Sequence, residues 1–335
     1  MTAHHLSIAD AEQILAKVPR LTIGVLGDLF LDRYLDIDPA LTEPSLETGL
    51  DAFQVVRVRS NPGAAGTVIN NLVALGVNEV CVLAVIGDDG EGYELRQALD
   101  RQGVSPRWLY QDSSRRTPTY AKPMLGEREL NRLDIKNRSP LPQAAQDAVL
   151  HSLTELWPRL HALVVVDQVS EAACGVVTSG VRNRLAKLGS ANPERLILAD
   201  SRERIGLFRS VSLKPNQGEC LRAMPGKLPD SVRALARQCG RPVFCTRGEQ
   251  GISVVDPRSE RLREWAVPTI PVTGPIDPVG AGDSISAALA CAIAAGASLS
   301  QAAAFANMVA SITIRQLGTT GTATPEQIRQ SIRGL

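Results

Sequence analysis

Residues 276–297 read IDPVGAGDSISAALACAIAAGA, which sets an acid, Asp283, behind Gly280-Ala281-Gly282 at the start of an otherwise small and apolar helix. A helix N-terminus leaves backbone N–H groups unpaired and carries a partial positive charge, so it collects anions. Glycine at 280 and 282 permits a tight turn and lets phosphate oxygens reach those N–H groups. The same dipole should hold the Asp283 carboxylate ionised. An ionised acid beside a bound phosphate can take a proton from an attacking hydroxyl, which is the chemistry of phosphoryl transfer to an alcohol. A purely structural role, with Gly-Ala-Gly packed on a strand and Asp283 supporting the first turn, uses the same residues. The sequence contains neither GxxxxGK[ST] nor GxGxxG, so neither a P-loop nor a dinucleotide fold accounts for the glycines.

Positioning such a helix calls for a framework, and the rest of the chain supplies one. Short β-branched runs, TIGVLG (22–27), VCVLAVIG (80–87), ALVVVD (162–167), RLILAD (195–200), PVFCTRG (242–248) and ISVVD (252–256), alternate with helical periods near 66–76, 91–102, 142–156, 173–188 and 229–239. This rhythm predicts an α/β fold with a mostly parallel sheet covered on both faces. Two stretches break it, 34–60 and 107–137, and their alternation of apolar and polar residues predicts a small second sheet leaning over one edge, with long surface loops as the alternative. Gly27-Asp28, Gly87-Asp88-Asp89-Gly90, Asp167, Asp200 and Thr246-Arg247-Gly248 all fall at strand ends, where open α/β sheets bind ligands.

Composition narrows the partners. Across 335 residues, Lys and Arg (36) balance Asp and Glu (35), so neither nucleic acid nor an anionic membrane is expected as the main partner, and a small solute is. Six dispersed cysteines without a CxxC argue against a zinc site or a disulfide frame and fit a reducing cytosol. The N-terminal segment lacks the apolar core of a secretion signal and reads as a helix capped near Ser7; the run Ile285 to Ala295 is too short to span a bilayer. A cytoplasmic location is expected.

DPVGAGDS (277–284) resembles the signature of the ribokinase-like, or PfkB, carbohydrate kinases, and further motifs follow in that family's order between about Thr22 and Pro325. The resemblance implies one PfkB domain over 1–335, a three-layer α/β/α sandwich with a β-sheet lid made by 34–60 and 107–137. It implies Asp283 as general base, with Gly280, Ala281 and Gly282 forming an anion hole. Gly27-Asp28 with Leu31-Asp32-Arg33-Tyr34 looks like the opening strand, implying Asp28 and Asp32 as contacts to sugar hydroxyls. Pro62-Gly63 and the following helix match the early glycine motif on the substrate side, with Thr67 at the position where the family's Asn is expected to bond the sugar, and Gly87, Asp89 and Gly92 match a G-x-D-x-x-G element. LKPNQGE (213–219) matches K-P-N-x-x-E, implying that Asn216 and Glu219 organise phosphates and Mg²⁺, the ion being reached from Glu219 through water. Thr246, Gly248 and Gly251 match the nucleotide loop, and Asn307 lies on the helix lining the adenine pocket. ATP and Mg²⁺ are thus the implied cofactors, and a K⁺-type ion near 277–282 is compatible with the family. Alternate apolar positions on the lid strands (Phe53, Val55, Val58, Tyr120, Met124) suit a homodimer, lid on lid.

Within the family, GDLFLDRY, NRLD (131–134) and QLGTTGTATP (316–325) look most like the heptose-7-phosphate kinase domain of bifunctional ADP-heptose synthesis enzymes, whose second, nucleotidyl-transfer domain is not expected in these 335 residues. Lys122 and Arg132 on the lid segment are then the cations expected to meet a substrate phosphate. The acceptor half departs from the pattern. Where such kinases have Pro-Gly-Gly-Ala-Ala-Asn, this chain has Pro62-Gly63-Ala64-Ala65-Gly66-Thr67, and Asp167-Gln168-Val169-Ser170 replaces an Asp-Tyr followed by Lys-Gly. A fructokinase- or ribokinase-like kinase of a free sugar, and a degenerate metabolite-binding protein, are the alternatives. Arg202 to Arg209 is expected to be a solvated loop, with Arg202 near enough to Asp200 to reach the nucleotide.

Overall fold

The computed structural model describes residues 6–318 and 320–334. Helix α1 (Ile8–Lys17), closed by a reciprocal Ser7–Asp10 capping box, leads into strand β1 (Thr22–Gly27). The chain leaves along β2 (Leu29–Pro44) and β3 (Asp51–Ala64) and returns through α2 (Ala65–Ala74) to β4 (Glu79–Gly87) and α3 (Gly90–Arg101). Strands β5 (Leu109–Asp112), β6 (Thr119–Leu125), β7 (Arg128–Glu129) and β8 (Leu133–Ile135) come next. A regular alternation then runs through α4 (Gln143–Leu156), β9 (Ala162–Asp167), α5 (Ser179–Ala191), β10 (Leu196–Ser201), β11 (Ser212–Leu213), α6 (Gln217–Ala223), α7 (Leu228–Cys239) and β12 (Val243–Thr246). After β13 (Ile252–Asp256) and β14 (Arg263–Val267) come α8 (Ala281–Ala294), α9 (Leu299–Thr313) and α10 (Pro325–Arg333).

Nine strands form the main sheet in the order β14-β13-β12-β11-β10-β9-β1-β4-β5, parallel from β12 to β5, with β13 and β14 antiparallel at one edge. Period-two alternation divides its side chains between two cores. Ile23, Val25, Val82, Ala84, Val164 and Val166 pack under α1, α2, α3, α8, α9 and α10, whereas Leu26, Leu83, Val85, Leu163 and Val165 pack under α4, α5, α6 and α7. The result is a three-layer α/β/α sandwich, whose strands read as continuous apolar runs because both faces are covered.

The second sheet runs β3-β2-β6-β7, with β8 also paired to β6. It begins earlier and ends later than the alternation at 34–60 indicates, because β2 and β3 continue to Leu29 and Ala64, where they join the main layer. The 107–137 stretch divides. Leu109–Asp112 pairs in parallel with Ala84–Gly87 as the edge of the main sheet, and only β6 to β8 belong to the lid. An edge strand exposes one side, so its alternation looks the same in either sheet. A bulge opposite Asp36/Ile37, where Val56 has no partner, keeps Phe53, Val55 and Val58 on one face of β3; all three are about half exposed, at 54%, 45% and 55%. No helix among the described residues is long and apolar enough to cross a membrane.

Candidate active site

The polar strand ends converge at the carboxyl edge of the main sheet, where α8 begins. Gly280 caps α8 in the left-handed region (φ +80°), and a side chain there would press within about 3.3 Å of Thr67 and Thr320. Ala281 N–H donates to the Pro278 carbonyl at 3.1 Å and Val279 N–H to the Asp277 carboxylate at 3.0 Å, which fixes the loop. The Gly282 and Asp283 amides lie in the first turn, where a helix offers its N–H groups no carbonyl. Facing Gly282, 3.5 Å from where a Cβ would stand, is the ammonium of Lys214. Lys214 is buried and pairs with Asp200 at 2.8 Å, and that Asp200 oxygen also accepts from Ser286 Oγ of α8 at 3.2 Å. One buried ion pair therefore locks the first turns of α8 to strand β10.

Asp283 is half-buried at this point. Its carboxyl is pushed up to about 7, first by burial and then by the charge of Asp200, with Lys214 and Arg202 pulling the other way. Burial and the charge of Asp200 thus outweigh Lys214 and Arg202, and the expectation of an ionised carboxylate is corrected to a group poised near neutrality. Such a group can both accept a proton and release it at physiological pH.

Asn216 and Glu219 close the start of α6 reciprocally: Glu219 N–H donates to Asn216 Oδ1 at 2.9 Å, and Asn216 N–H to Glu219 Oε2 at 2.8 Å. Burial raises the Glu219 pKa, opposed by that backbone bond. Asn216 bridges to Thr246, whose N–H donates to the Pro215 carbonyl at 2.9 Å. Gly248 (φ +55°) and Gly251 (φ +78°) turn the chain after β12; a Cβ on Gly251 would meet the Val267 carbonyl oxygen at 2.1 Å. The Asn307 amide donates to the carbonyls of Val267 and Pro268 at 3.1 and 2.9 Å, so it secures the wall beside this loop and its donors are already engaged. The oxygen-only donors near α6 suit Mg²⁺, which keeps several waters and leans on substrate phosphates. Among the described residues no group of three or more His, Cys, Asp or Glu forms an all-protein metal cage.

The acceptor side differs. Asp28 Oδ2 accepts the N–H groups of Gln168 (2.8 Å) and Val169 (2.9 Å), and its Oδ1 that of Val176 (2.8 Å). Its expected place as a free acceptor for sugar hydroxyls is corrected: the carboxylate organises the 168–176 loop, while its residue still lines the adjoining cavity. Burial and the charge of Asp167 push Asp28 up to about 6. Asp32 reaches Lys122 at 3.0 Å, and its other oxygen lies 2.4 Å from where a side chain on Gly63 would begin, so Gly63 makes room for Asp32. Lys122 also donates to the Tyr34 hydroxyl at 3.3 Å, and Arg132 forks onto Asp134 at 2.6 and 3.0 Å while stacking 4.4 Å over Tyr120. Both cations expected to meet a substrate phosphate are already paired. Thr67, 3% exposed, abuts Gly280 and so belongs beside the loop that leads into α8.

Residues 31–327 match the profile of the pfkB family carbohydrate kinases. The chain belongs to that family. It is 31% identical over 328 residues to the Bifunctional protein HldE of Pelobacter propionicus and 30% identical over 325 residues to that of Trichlorobacter lovleyi, in each case across 95% of this chain. It spans 64% of the length of either relative. Among solved structures, Arabidopsis thaliana ribokinase complexed with ribose and ATP superposes with a TM-score of 0.68 at 15% identity, covering 93% of this chain and 99% of that one. An E. coli ribokinase-type protein complexed with ATP and Mg²⁺ gives 0.68 at 17% identity, covering 94% and 100%. These likenesses carry the fold.

As a pfkB family carbohydrate kinase, the chain shows two charged residues that sequence reasoning left without a role. Lys214 stands inside LKPNQGE, and a lysine closing an apolar strand run was the signal that could have marked it. Arg204 contradicts the solvated loop expected for Arg202 to Arg209: it pairs with buried Asp167 at 2.7 Å and donates to the carbonyls of Ser170 (3.0 Å) and Val169. Arg204 and Asp28 therefore grip the 168–176 loop from two sides.

Proposed function

We propose that this chain, as a single pfkB kinase unit over 1–335, transfers the γ-phosphoryl group of ATP to a sugar hydroxyl. The observation that supports this most is the first turn of α8, where two amides without helical partners stand beside a carboxyl poised near pH 7. The acceptor hydroxyl, held between Asp32 and Asp283, would pass its proton to the Asp283 carboxylate as its oxygen attacks. The Gly282 and Asp283 amides, with Lys214 close behind Gly282, would meet the charge on the transferred group. Asn216 and Glu219 would hold the phosphate tail, Thr246, Gly248 and Gly251 the nucleotide, and the wall secured by Asn307 its base. Mg²⁺, when bound with ATP and reached from Glu219 through water, would supply neutralisation of phosphate charge.

The finer proposal is a heptose-7-phosphate-like acceptor, following the motif resemblance and the HldE relatives. The exposed face of Phe53, Val55 and Val58 supports a homodimer, lid on lid, which sedimentation at micromolar concentration would test. ATP consumption over a panel of sugars and sugar phosphates tests the kinase itself. Turnover that needs a sugar acceptor supports it; ATP and sugar binding without turnover would leave a metabolite-binding protein in its place.

A further inference from the structure

The cations around the acceptor cavity can be sorted by what already holds them. Lys122 is taken by Asp32, Arg132 by Asp134, Arg204 by Asp167 and Lys214 by Asp200. Arg115 is buried and spends its guanidinium on the carbonyls of Ser139, Pro140 and Cys174. Arg202 remains. Its side chain is exposed and, among the described residues, no hydrogen bond or ion pair engages its guanidinium. It lines the cavity walled by Asp28, Phe30, Tyr120 and Gln168, and its charge reaches Tyr120 on the lid and Asp283 in the first turn of α8. Lys136 lines the same mouth, held only loosely by Asp134 at 3.7 Å and shared over the Tyr120 ring at 5.8 Å.

We infer that Arg202, with Lys136 opposite, receives a phosphate carried by the acceptor itself, at the end remote from the hydroxyl that attacks. A guanidinium presents two parallel N–H donors that fit a phosphate edge to edge, and a second cation across the mouth matches the dianionic charge of a phosphate monoester. Asp28 lines the inner part of the same cavity, so a phosphate placed against it would meet like charge. Arg202 is thus a specificity-determining residue that reads a sugar phosphate against the corresponding free sugar. This inference rests on the kinase proposal for its substrate and deepens it by assigning the group that selects that substrate.

The test compares wild type, Arg202→Gln, Arg202→Lys and Lys136→Gln on a sugar phosphate and its free-sugar counterpart. The expected result is that Arg202→Gln lowers the ratio of kcat/KM for the phosphate to that for the free sugar at least tenfold, chiefly through KM. Arg202→Lys should recover part of the ratio, and Lys136→Gln should lower it less. Equal losses on both substrates would overturn the inference and move Arg202 to the transferred phosphoryl group. Calorimetric binding of a hexose phosphate to wild type and Arg202→Gln separates this inference from the kinase proposal. No turnover in any protein, with binding weakened by the substitution, would sink the kinase alone; binding that Arg202→Gln leaves unaltered, or no binding to wild type, would sink the inference.

Discussion

The phosphate side and the acceptor side of this cleft are made from different materials. At the start of α8 the groups proposed to bind phosphate are backbone amides, exposed by glycine and held by one buried pair, Lys214–Asp200. Across the cleft the groups are side chains that satisfy one another: Asp28 with three loop amides, Asp32 with Lys122, Arg132 with Asp134. A backbone site stands ready for its anion with little rearrangement. A site of paired side chains must exchange partners to bind, so the acceptor side is where a substrate can be selected and where the chain has room to differ from its relatives.

Perturbing the backbone side should therefore have the largest effects. Gly282→Val would place branched carbons into the space between the amides and the Lys214 ammonium, and a loss in kcat of about 10² or more, with weaker ATP binding, is expected in steady-state kinetics. Lys214→Met leaves Asp200 buried without its partner and should cost about 3–5 kcal/mol in denaturant unfolding. On the acceptor side, Asp28→Asn would turn an amide NH₂ toward loop N–H groups that now donate to carboxylate. That should cost about 2 kcal/mol and raise the acceptor KM while sparing that of ATP. Equal rises in both KM values would break the contrast between the two sides.

The smallest effect is in pH dependence. Asp28 and Asp283 both have carboxyls raised above the ordinary 3.8, to about 6 and about 7. The folded state therefore binds more protons than the unfolded one between about pH 4 and 7. Their contribution to stability is fully present below about pH 4 and is lost as pH rises through those values. Asp283→Asn should accordingly flatten the decline in unfolding free energy between pH 5 and 7.5, and an unchanged slope would show that Asp283 titrates normally. In wild type, kcat/KM should rise with unit slope up to about pH 7 as Asp283 becomes available as a base.

What the sequence made legible follows the same division. Gly280-Ala281-Gly282-Asp283 is contiguous in sequence, so its spacing raised the phosphate reading beside a structural one and the motif resemblance chose between them, while the apolar runs disclosed the parallel sheet because both of its faces are covered. The acceptor side depends on contacts between distant segments. Nothing near Asp28 announces that its carboxylate will be filled by Gln168, Val169 and Val176, or that Asp32 will meet Lys122. The stretch 173–178 looked helical, yet the helix begins only at Ser179. Asp28 draws the preceding loop inward, and Ala173 takes a left-handed φ of +58° to allow it.

Asp283 as the base and the α8 amides as the phosphate site are proposed to be two separable functions of one turn. Single-turnover transfer of labelled γ-phosphate by Asp283→Asn, with ATP affinity measured on the same protein, tests it most directly. The expected result is a transfer rate lowered about 10²-fold or more with ATP affinity held within about threefold. Transfer at the wild-type rate would contradict it.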